Sequence, residues 1–226
     1  MAIWIAVAAG GLIVVGVTGR MLRAKLLARP PRAVIANLAN STSVDPSGAV
    51  RSVQRADLML AEADLAQIWT PAHLERLART YWRFLARATL GVIRVQYTPA
   101  ERSVVLLVPQ LKLLIFQAPE YEMDATRGLV RWEIARGLLV SRRGRNGRGY
   151  LQIEVQRGQP DGRGRAVLHV EVEVANFYPS IASRLSRRIY NATQSRIHVI
   201  VTYGFLRSLA RLDLAESRVG RFAAQG

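Results

Sequence analysis

The spacing of hydrophobic and polar positions divides the chain into four stretches. Residues 2–19 are uncharged and almost wholly apolar, residues 28–53 show no sustained period, residues 70–90 repeat at three- and four-residue spacing, and residues 92–175 alternate at every second position. Helical spacing predicts an amphipathic helix, and alternation predicts strands with one buried face. The pattern therefore predicts an apolar N-terminal segment, a linker, a helix and a sheet, in that order.

The apolar N-terminal segment predicts a transmembrane anchor over residues 1–22. In a helix its uncharged stretch spans roughly 26 Å, close to the ~30 Å thickness of the hydrocarbon layer. A cleaved secretory signal and a buried or interfacial helix are the alternatives, but a signal has basic residues before its apolar core. Because the positive charges follow this segment, the positive-inside rule places the N terminus outside the cell membrane and the rest of the chain in the cytoplasm. The residues expected to face the anionic membrane surface are Arg20, Arg23, Lys25, Arg29 and Arg32.

Two helices are predicted after a linker. Residues 23–53 predict a basic, flexible tether, since they mix Pro-Pro, Asn-Ser-Thr-Ser and Asp-Pro-Ser-Gly. Residues 54–68 have apolar side chains at helical spacing and predict a short helix. A longer helix is predicted from Thr70, which can cap it, to about Leu90. Its predicted buried stripe is Leu74, Leu77, Tyr81, Phe84, Leu85 and Ala88, and its predicted polar face is Glu75, Arg76, Arg79, Arg83 and Arg87.

Seven segments between residues 92 and 175 have the alternation and β-branched composition of strands. Their connections are short turns such as Asn146-Gly147, and short turns join antiparallel neighbours. We therefore predict an antiparallel meander with one apolar face. The predicted strands are residues 92–97, 103–108, 111–118, 128–134, 137–142, 149–157 and 165–175.

Residues 179–214 predict a long C-terminal helix that covers this apolar face, although the β-branched run 197–203 also fits a last strand. The predicted fold class is α+β, with an antiparallel meander sheet under a long C-terminal helix, in a single domain of residues 54–216 followed by a tail at 217–226. The order of elements over residues 70–214 resembles the helix-grip arrangement of the START and polyketide-cyclase-like proteins. That resemblance implies a curved sheet wrapped around a long terminal helix, with an apolar cavity between them.

Composition narrows the chemistry. The sequence has no cysteine, which excludes disulfides, thiolate nucleophiles and cysteine-bound zinc or iron–sulfur centres. Its formal net charge of +16 indicates an anionic partner, and the inner leaflet is the nearest one to an anchored domain. Nucleic acid is the rival partner, but the basic turns 141–149 and 157–165 fall at opposite ends of a meander and form no continuous groove. We therefore expect a membrane surface and no nucleic acid.

Two histidines mark weak candidate sites for acid–base chemistry. His169, Glu171 and Glu173 alternate along one strand and share a face, where they suit a divalent metal or a general acid–base set. The same face also suits solvent, with its carboxylates paired to arginines of neighbouring strands. His198 lies in an apolar segment and is more simply a satisfied core residue. We expect a solvated, ion-paired face, no metal and no cofactor.

The preferred function is a membrane-anchored, cytoplasm-facing domain that binds an apolar or lipid-like ligand between its sheet and its terminal helix. The alternatives are a non-catalytic subunit or assembly partner of a membrane-protein complex, and an enzyme that uses His169 or His198. Ligand binding depends on burial of apolar surface, worth about 25 cal/mol per Å². The predicted pocket walls are Leu151, Ile153, Val170, Val172, Phe177, Ile189 and Ile200.

Overall fold

The computed structural model describes residues 33–142, 144, 148–178, 205, 206 and 209. Within these residues the chain forms nine strands and the helices α1 and α2. In chain order the elements are β1 (Val34–Val44), β2 (Val50–Ala61), α1 (Glu62–Ile68), α2 (Pro71–Ala88), β3 (Ile93–Tyr97), β4 (Glu101–Leu106), β5 (Lys112–Gln117), β6 (Glu120–Met123), β7 (Arg127–Arg136), β8 (Tyr150–Arg157) and β9 (Arg165–Phe177).

The nine strands form one antiparallel sheet. Neighbouring strands follow the order β1-β2-β9-β8-β7-β5-β4-β3, and the short β6 pairs with β7 beside this path. β1 and β2 form a hairpin, α1 and α2 carry the chain to the other end of the strand order, and β3 to β9 return until β9 pairs with β2. This arrangement confirms the predicted antiparallel meander and joins it to a hairpin that the sequence did not predict.

The hairpin of β1 and β2 occupies residues that were predicted as tether and short helix. β2 pairs with β9 along its whole length. Ala56 and Leu58 are both buried, at the two-residue spacing of a strand. Leu58 also fits the helical spacing of the residues that follow, so the hydrophobic pattern did not distinguish a strand from a helix here. β1 is exposed along most of its length, which leaves no apolar alternation to recognise. The flexible tether is therefore wrong from Val34 onward, and the first helix begins at Glu62 and not at residue 54.

The strand that was predicted at residues 137–142 is also wrong. Residues 137–142 follow β7 as an irregular segment, and the meander passes directly from β7 to β8. Gly137 has a φ of +148°, which strand residues with a side chain rarely adopt, and this conformation ends β7 at Arg136. The apolar run after Gly137 was therefore misleading as a signal of a strand.

α2 follows its prediction closely. Thr70 caps it, with its hydroxyl accepting a hydrogen bond from the backbone amide of His73 at 3.3 Å, and Pro71 occupies the first helical position. The buried face includes Leu74 and Leu77 from the predicted stripe. The helix ends at Ala88, two residues earlier than predicted. This amphipathic helix packs its apolar face on the sheet.

Aromatic side chains form the centre of the core. The ring of Trp82 lies 5.4 Å from that of Tyr81 and 5.2 Å from those of Phe116 and Trp132, measured between ring centroids. Phe205 packs edge-on against Tyr81 at 5.6 Å. The side chains of these rings come from α2, β5, β7 and the C-terminal part of the chain, so the core joins all of these elements.

The C-terminal helix is described at three positions only. Phe205, Leu206 and Leu209 are helical and buried, as expected for a helix that covers the apolar face. The rest of that prediction, including the choice between helix and strand at 197–203, lies outside the described residues. The predicted anchor and its basic flank also lie outside them, and no helix of the described part has the length and apolarity to cross a membrane.

Candidate functional site

An apolar cavity lies between the sheet and the two helices. Its volume is about 40 Å³, and its walls come from β2, α1, α2, β6, β8, β9 and the C-terminal helix. Three of its lining residues carry polar atoms, and the other lining side chains are aliphatic except for the thioether of Met123. The three are Trp69, Thr70 and His73. The lining residues are Ala33, Leu58, Leu60, Leu65, Ile68, Trp69, Thr70, His73, Leu74, Leu77, Met123, Val155, Leu168 and Leu209.

The rim of the cavity is formed where α1 meets α2, opposite the end of β6. Its half-buried residues are Ile68, Trp69, Thr70, His73 and Met123, whereas the deeper walls are buried. The indole nitrogen of Trp69 donates a hydrogen bond to the backbone oxygen of Asp124 at 3.0 Å, which ties the helix junction to the turn after β6. This hydrogen bond therefore joins the α1–α2 side of the rim to the β6 side.

His73 supplies an imidazole group to this rim. Its Nδ1 lies 2.9 Å from the hydroxyl oxygen of Thr70. Burial lowers the pKa of His73, and the positive charge of Arg76 lowers it further. The imidazole is therefore neutral at neutral pH, and it places a hydrogen-bonding group in the lining of an otherwise largely apolar opening.

The predicted pocket walls share the face of the sheet that the cavity uses, but they lie farther along the strands. All five described members, Leu151, Ile153, Val170, Val172 and Phe177, are buried in the core, and none lines this cavity. Val155 and Leu168 line it instead, at the ends of β8 and β9 that lie beside α1 and α2. The alternation identified the buried face of the sheet, and it carried no signal for the position of a cavity along the strand. Ile189 and Ile200 lie outside the described residues.

The opposite face of the sheet carries His169, Glu171 and Glu173, as their alternation predicted. Each is paired across strands with a residue of β2, and these partners were missed because β2 was not recognised. The pairs of His169 and Glu171 are partly exposed and contribute little stability, about 0–1 kcal/mol each, whereas Glu173 is buried and also accepts a hydrogen bond from the hydroxyl of Tyr150 at 3.1 Å. The pairs are His169 Nδ1 with Asp57 Oδ1 at 2.6 Å, Glu171 Oε2 with Arg55 Nε at 2.5 Å, and Glu173 Oε1 with Arg51 Nε at 2.7 Å.

This ion-paired face offers ordinary charge pairing. Burial raises the pKa of Asp57, but hydrogen bonds with Asn37 and His169 lower it by more, so the net shift is downward. Glu154 accepts two hydrogen bonds from the guanidinium group of Arg127, each 3.0 Å long, and this pairing lowers its pKa. Among the residues that the structure describes, no three His, Asp or Glu side chains are grouped to hold a metal ion. The remaining acid–base candidate, His198, lies outside that part of the chain.

A buried polar cluster was not predicted. Glu75 was assigned to the solvent face of α2, but it is buried beside Arg102 of β4 and Tyr121 of β6. Burial raises the pKa of Tyr121, and the negative charge of Glu75 raises it further. Burial lowers the pKa of Arg102, whose guanidinium carbon lies 5.4 Å from the ring centroid of Tyr97. No sequence signal marks such a cluster, because its members come from three separate elements.

No protein-family model matches the sequence, and no curated protein matches it. Solved structures that resemble the chain include human StAR-related lipid transfer protein 5, at 10% identity and a TM-score of 0.38, over 91% of this chain and 98% of that one. They also include a fragment of a STAR-related lipid transfer protein from Xanthomonas axonopodis, at 16% identity and a TM-score of 0.29, over 76% of this chain and 98% of that one. At identities and TM-scores this low, the likenesses carry no argument about what this chain binds.

Proposed function

We propose that this domain binds the apolar end of a lipid-like ligand in the cavity under α1 and α2. The observation that supports the proposal is the lining, in which aliphatic side chains surround an unfilled space beneath a half-buried rim. Interiors are normally packed without such spaces, and a space lined this way favours hydrocarbon over water. The cavity walls therefore support an apolar ligand.

The size of the cavity limits what enters the closed form. A volume of about 40 Å³ is well below the roughly 150 Å³ of an apolar cavity that holds benzene. A longer chain needs the roof to open, and α1 is the element that opens most easily, because it has seven residues and its one fully buried side chain is Leu65. Burial of about six CH₂ groups contributes roughly 5 kcal/mol, which offsets such a movement.

His73 gives the rim a preference within this ligand class. A neutral imidazole at the opening suits a hydroxyl, an ester or an uncharged acid group. The proposal is thus an apolar chain in the cavity with an uncharged polar group at His73.

Filling the cavity should remove binding. Leu168→Phe adds volume in the wall, and Met123→Trp adds volume at the half-buried rim, so each should weaken binding of hexadecanol at least tenfold. Native mass spectrometry of the full-length chain released from detergent measures the bound fraction, and circular dichroism checks folding. Leu38→Trp on the exposed β1 is the matched control and should bind as the unchanged chain does. Equal binding by all of these chains would contradict the proposal.

We also infer that residues 1–22 span the cell membrane and that the domain faces the cytoplasm. The support is the uncharged stretch of residues 2–19 with its basic flank on the downstream side. A C-terminal epitope tag should therefore resist protease in intact cells and become cleavable after lysis. Cleavage in intact cells would count against this orientation. The alternative role as a subunit of a membrane-protein complex stays a prediction.

A further inference from the structure

Exposed aliphatic side chains gather at the end of the sheet opposite the cavity. They come from the turn between α2 and β3, the turn between β4 and β5, and the segment after β7. Their exposed fractions run from 39% to 59%, so these side chains stay in water unless a partner covers them. We call this set the apolar tip, and it consists of Leu90, Leu107, Val108, Leu111 and Leu138.

Backbone hydrogen bonds join the three turns into one surface. The amide of Leu107 donates to the carbonyl oxygen of Val92 at 2.8 Å, which links the β4–β5 turn to the turn before β3. The amide of Leu138 donates to the carbonyl oxygen of Lys112 at 3.0 Å, which links the segment after β7 to β5. The apolar tip is therefore a single platform, fixed by the sheet that supports it.

Two residues of the apolar tip have a backbone conformation that disfavours leucine. Leu90 has a φ of +55° and Leu107 a φ of +58°, in the left-handed region that glycine and asparagine adopt more readily. Neither leucine offsets the free-energy cost of this strain by burial of its side chain, since both side chains are exposed. The positive φ of Leu90 belongs to the C-cap of α2, in which the amide of Gly91 donates to the carbonyl oxygen of Ala86 at 2.8 Å, and the apolar side chain at this position still stays exposed.

The surroundings of the apolar tip are basic. No Asp or Glu occurs in residues 83–94, 102–119 or 134–149, the segments that carry the tip. Arg94 is exposed beside it, with its Nε donating to the carbonyl oxygen of Gly91 at 3.1 Å. The described cations on these segments also include Arg87, Lys112 and Arg142.

The cavity end of the domain carries carboxylates among its arginines, which include Arg76 and Arg127. Glu62 and Asp64 lie in the first turn of α1, and Glu122 and Asp124 lie in β6 and the turn after it. The described domain therefore has mixed charge beside the cavity rim and a basic flank around the apolar tip, where the carboxylate of Glu101 is paired with Arg136 at 2.8 Å.

We propose that the apolar tip docks this domain onto an anionic lipid bilayer. Its aliphatic side chains enter the interfacial layer, and the basic flank binds the phosphate groups of the lipids. A fluid bilayer accepts protruding side chains from separate turns without a complementary groove, and its negative surface matches the basic flank. Of the two basic turns, the first then lies on the bilayer side with its described residues Arg142 and Arg148. The turn at 157–165 lies beside α1, where the amide of Glu62 donates to the carbonyl oxygen of Gly164 at 2.9 Å.

This inference is independent of the ligand cavity. α2 begins at the rim and ends at the apolar tip, and its 18 residues separate the two by about 27 Å. A domain docked by the tip therefore holds its cavity on the side away from the bilayer.

Single labels on the full-length chain test the docking. The sequence has no cysteine, so Leu107→Cys and Leu138→Cys each give one site for an environment-sensitive NBD label, and Val34→Cys on β1, exposed to 61%, is the matched control. The labelled chains are reconstituted into phosphatidylcholine vesicles with and without phosphatidylglycerol. We expect both tip labels to shift to shorter wavelength and to be quenched several-fold more by spin-labelled lipid, only when phosphatidylglycerol is present. The label at residue 34 should show neither change.

Three results would overturn the proposal: tip labels that behave like the control, a shift of equal size in neutral vesicles, or a shift without vesicles that grows with protein concentration. The last of these would assign the tip to contact between copies of the chain. Circular dichroism of each labelled chain establishes that it is folded. Leu168→Phe should leave the tip signal unchanged, so a failure of docking is distinguishable from a failure of ligand binding.

Discussion

Replacing Trp82 with alanine should lower the free energy of unfolding by about 3–5 kcal/mol. The side chain is 3% exposed, and its ring lies 5.2 Å from those of Phe116 in β5 and Trp132 in β7. Its removal leaves a void where α2 packs on the sheet, and rigid neighbouring rings close such a void poorly. Guanidinium denaturation of the full-length chain in mild detergent, followed by far-UV circular dichroism, measures the loss.

Two further variants make this expectation specific. Trp82→Phe should cost much less, because phenylalanine keeps most of the apolar volume and removes an indole N–H that has no acceptor among the described residues. Trp69→Ala removes a half-buried ring at the cavity rim and should cost about 1–2 kcal/mol. A loss for Trp82→Ala no larger than that for Trp69→Ala would show that Trp82 is not at the centre of the core.

The sheet was predictable where one face is buried and the other is wet. Every second residue is buried from Leu151 to Val155 in β8 and from Ala166 to Val172 in β9, because side chains on successive residues point to opposite faces. Short turns then fix antiparallel neighbours without any knowledge of distant contacts. The prediction of α2 succeeded for a similar local reason, since Thr70 and Pro71 mark its start and its apolar stripe repeats at helical spacing.

The hairpin of β1 and β2 was not predictable by these means. Its conformation depends on pairing with β9, more than a hundred residues later, and no local pattern reports that contact. One consequence was that the cross-strand partners of Glu171 and Glu173 were missed, since Arg55 and Arg51 lie on β2. The ionic character of that face was predictable, and the identity of its pairs was not.

The candidate site was also predictable only in part. Alternation identified the buried face of β8 and β9, but only the packing of α1 and α2 decides that the space remains beside Val155 and Leu168. Glu75 illustrates the limit on a helix, because helical spacing assigned it to solvent and the arrival of β4 and β6 buries it. The apolar tip likewise depends on three turns that meet only in the fold.

Gly137→Ala should destabilise the domain by about 3 kcal/mol or more, through overpacking and lost hydrogen bonds. A β-carbon at residue 137 would lie 2.3 Å from the carbonyl oxygen of Leu113 and 2.8 Å from the Cα of Leu114, both backbone atoms of β5 that cannot move alone. Relief of this contact separates the segment after β7 from β5. That movement breaks the hydrogen bonds from Leu138 to Lys112 and from Leu139 to Leu113, both 3.0 Å long.

Gly162→Ala is the matched control, because it also has a positive φ, +71°, but no atom lies within 4 Å of its added β-carbon. It should cost only about 1–2 kcal/mol, from backbone strain. Denaturation of both variants measures the difference, and equal losses would contradict the close approach of Gly137 to β5.

Because Gly137 precedes Leu138, its substitution should also weaken docking of the apolar tip in anionic vesicles, whereas Gly162→Ala, in the turn beside α1, should leave docking intact. Gly137→Ala should therefore lower both the stability and the membrane docking, whereas Gly162→Ala should lower the stability slightly and leave docking unchanged.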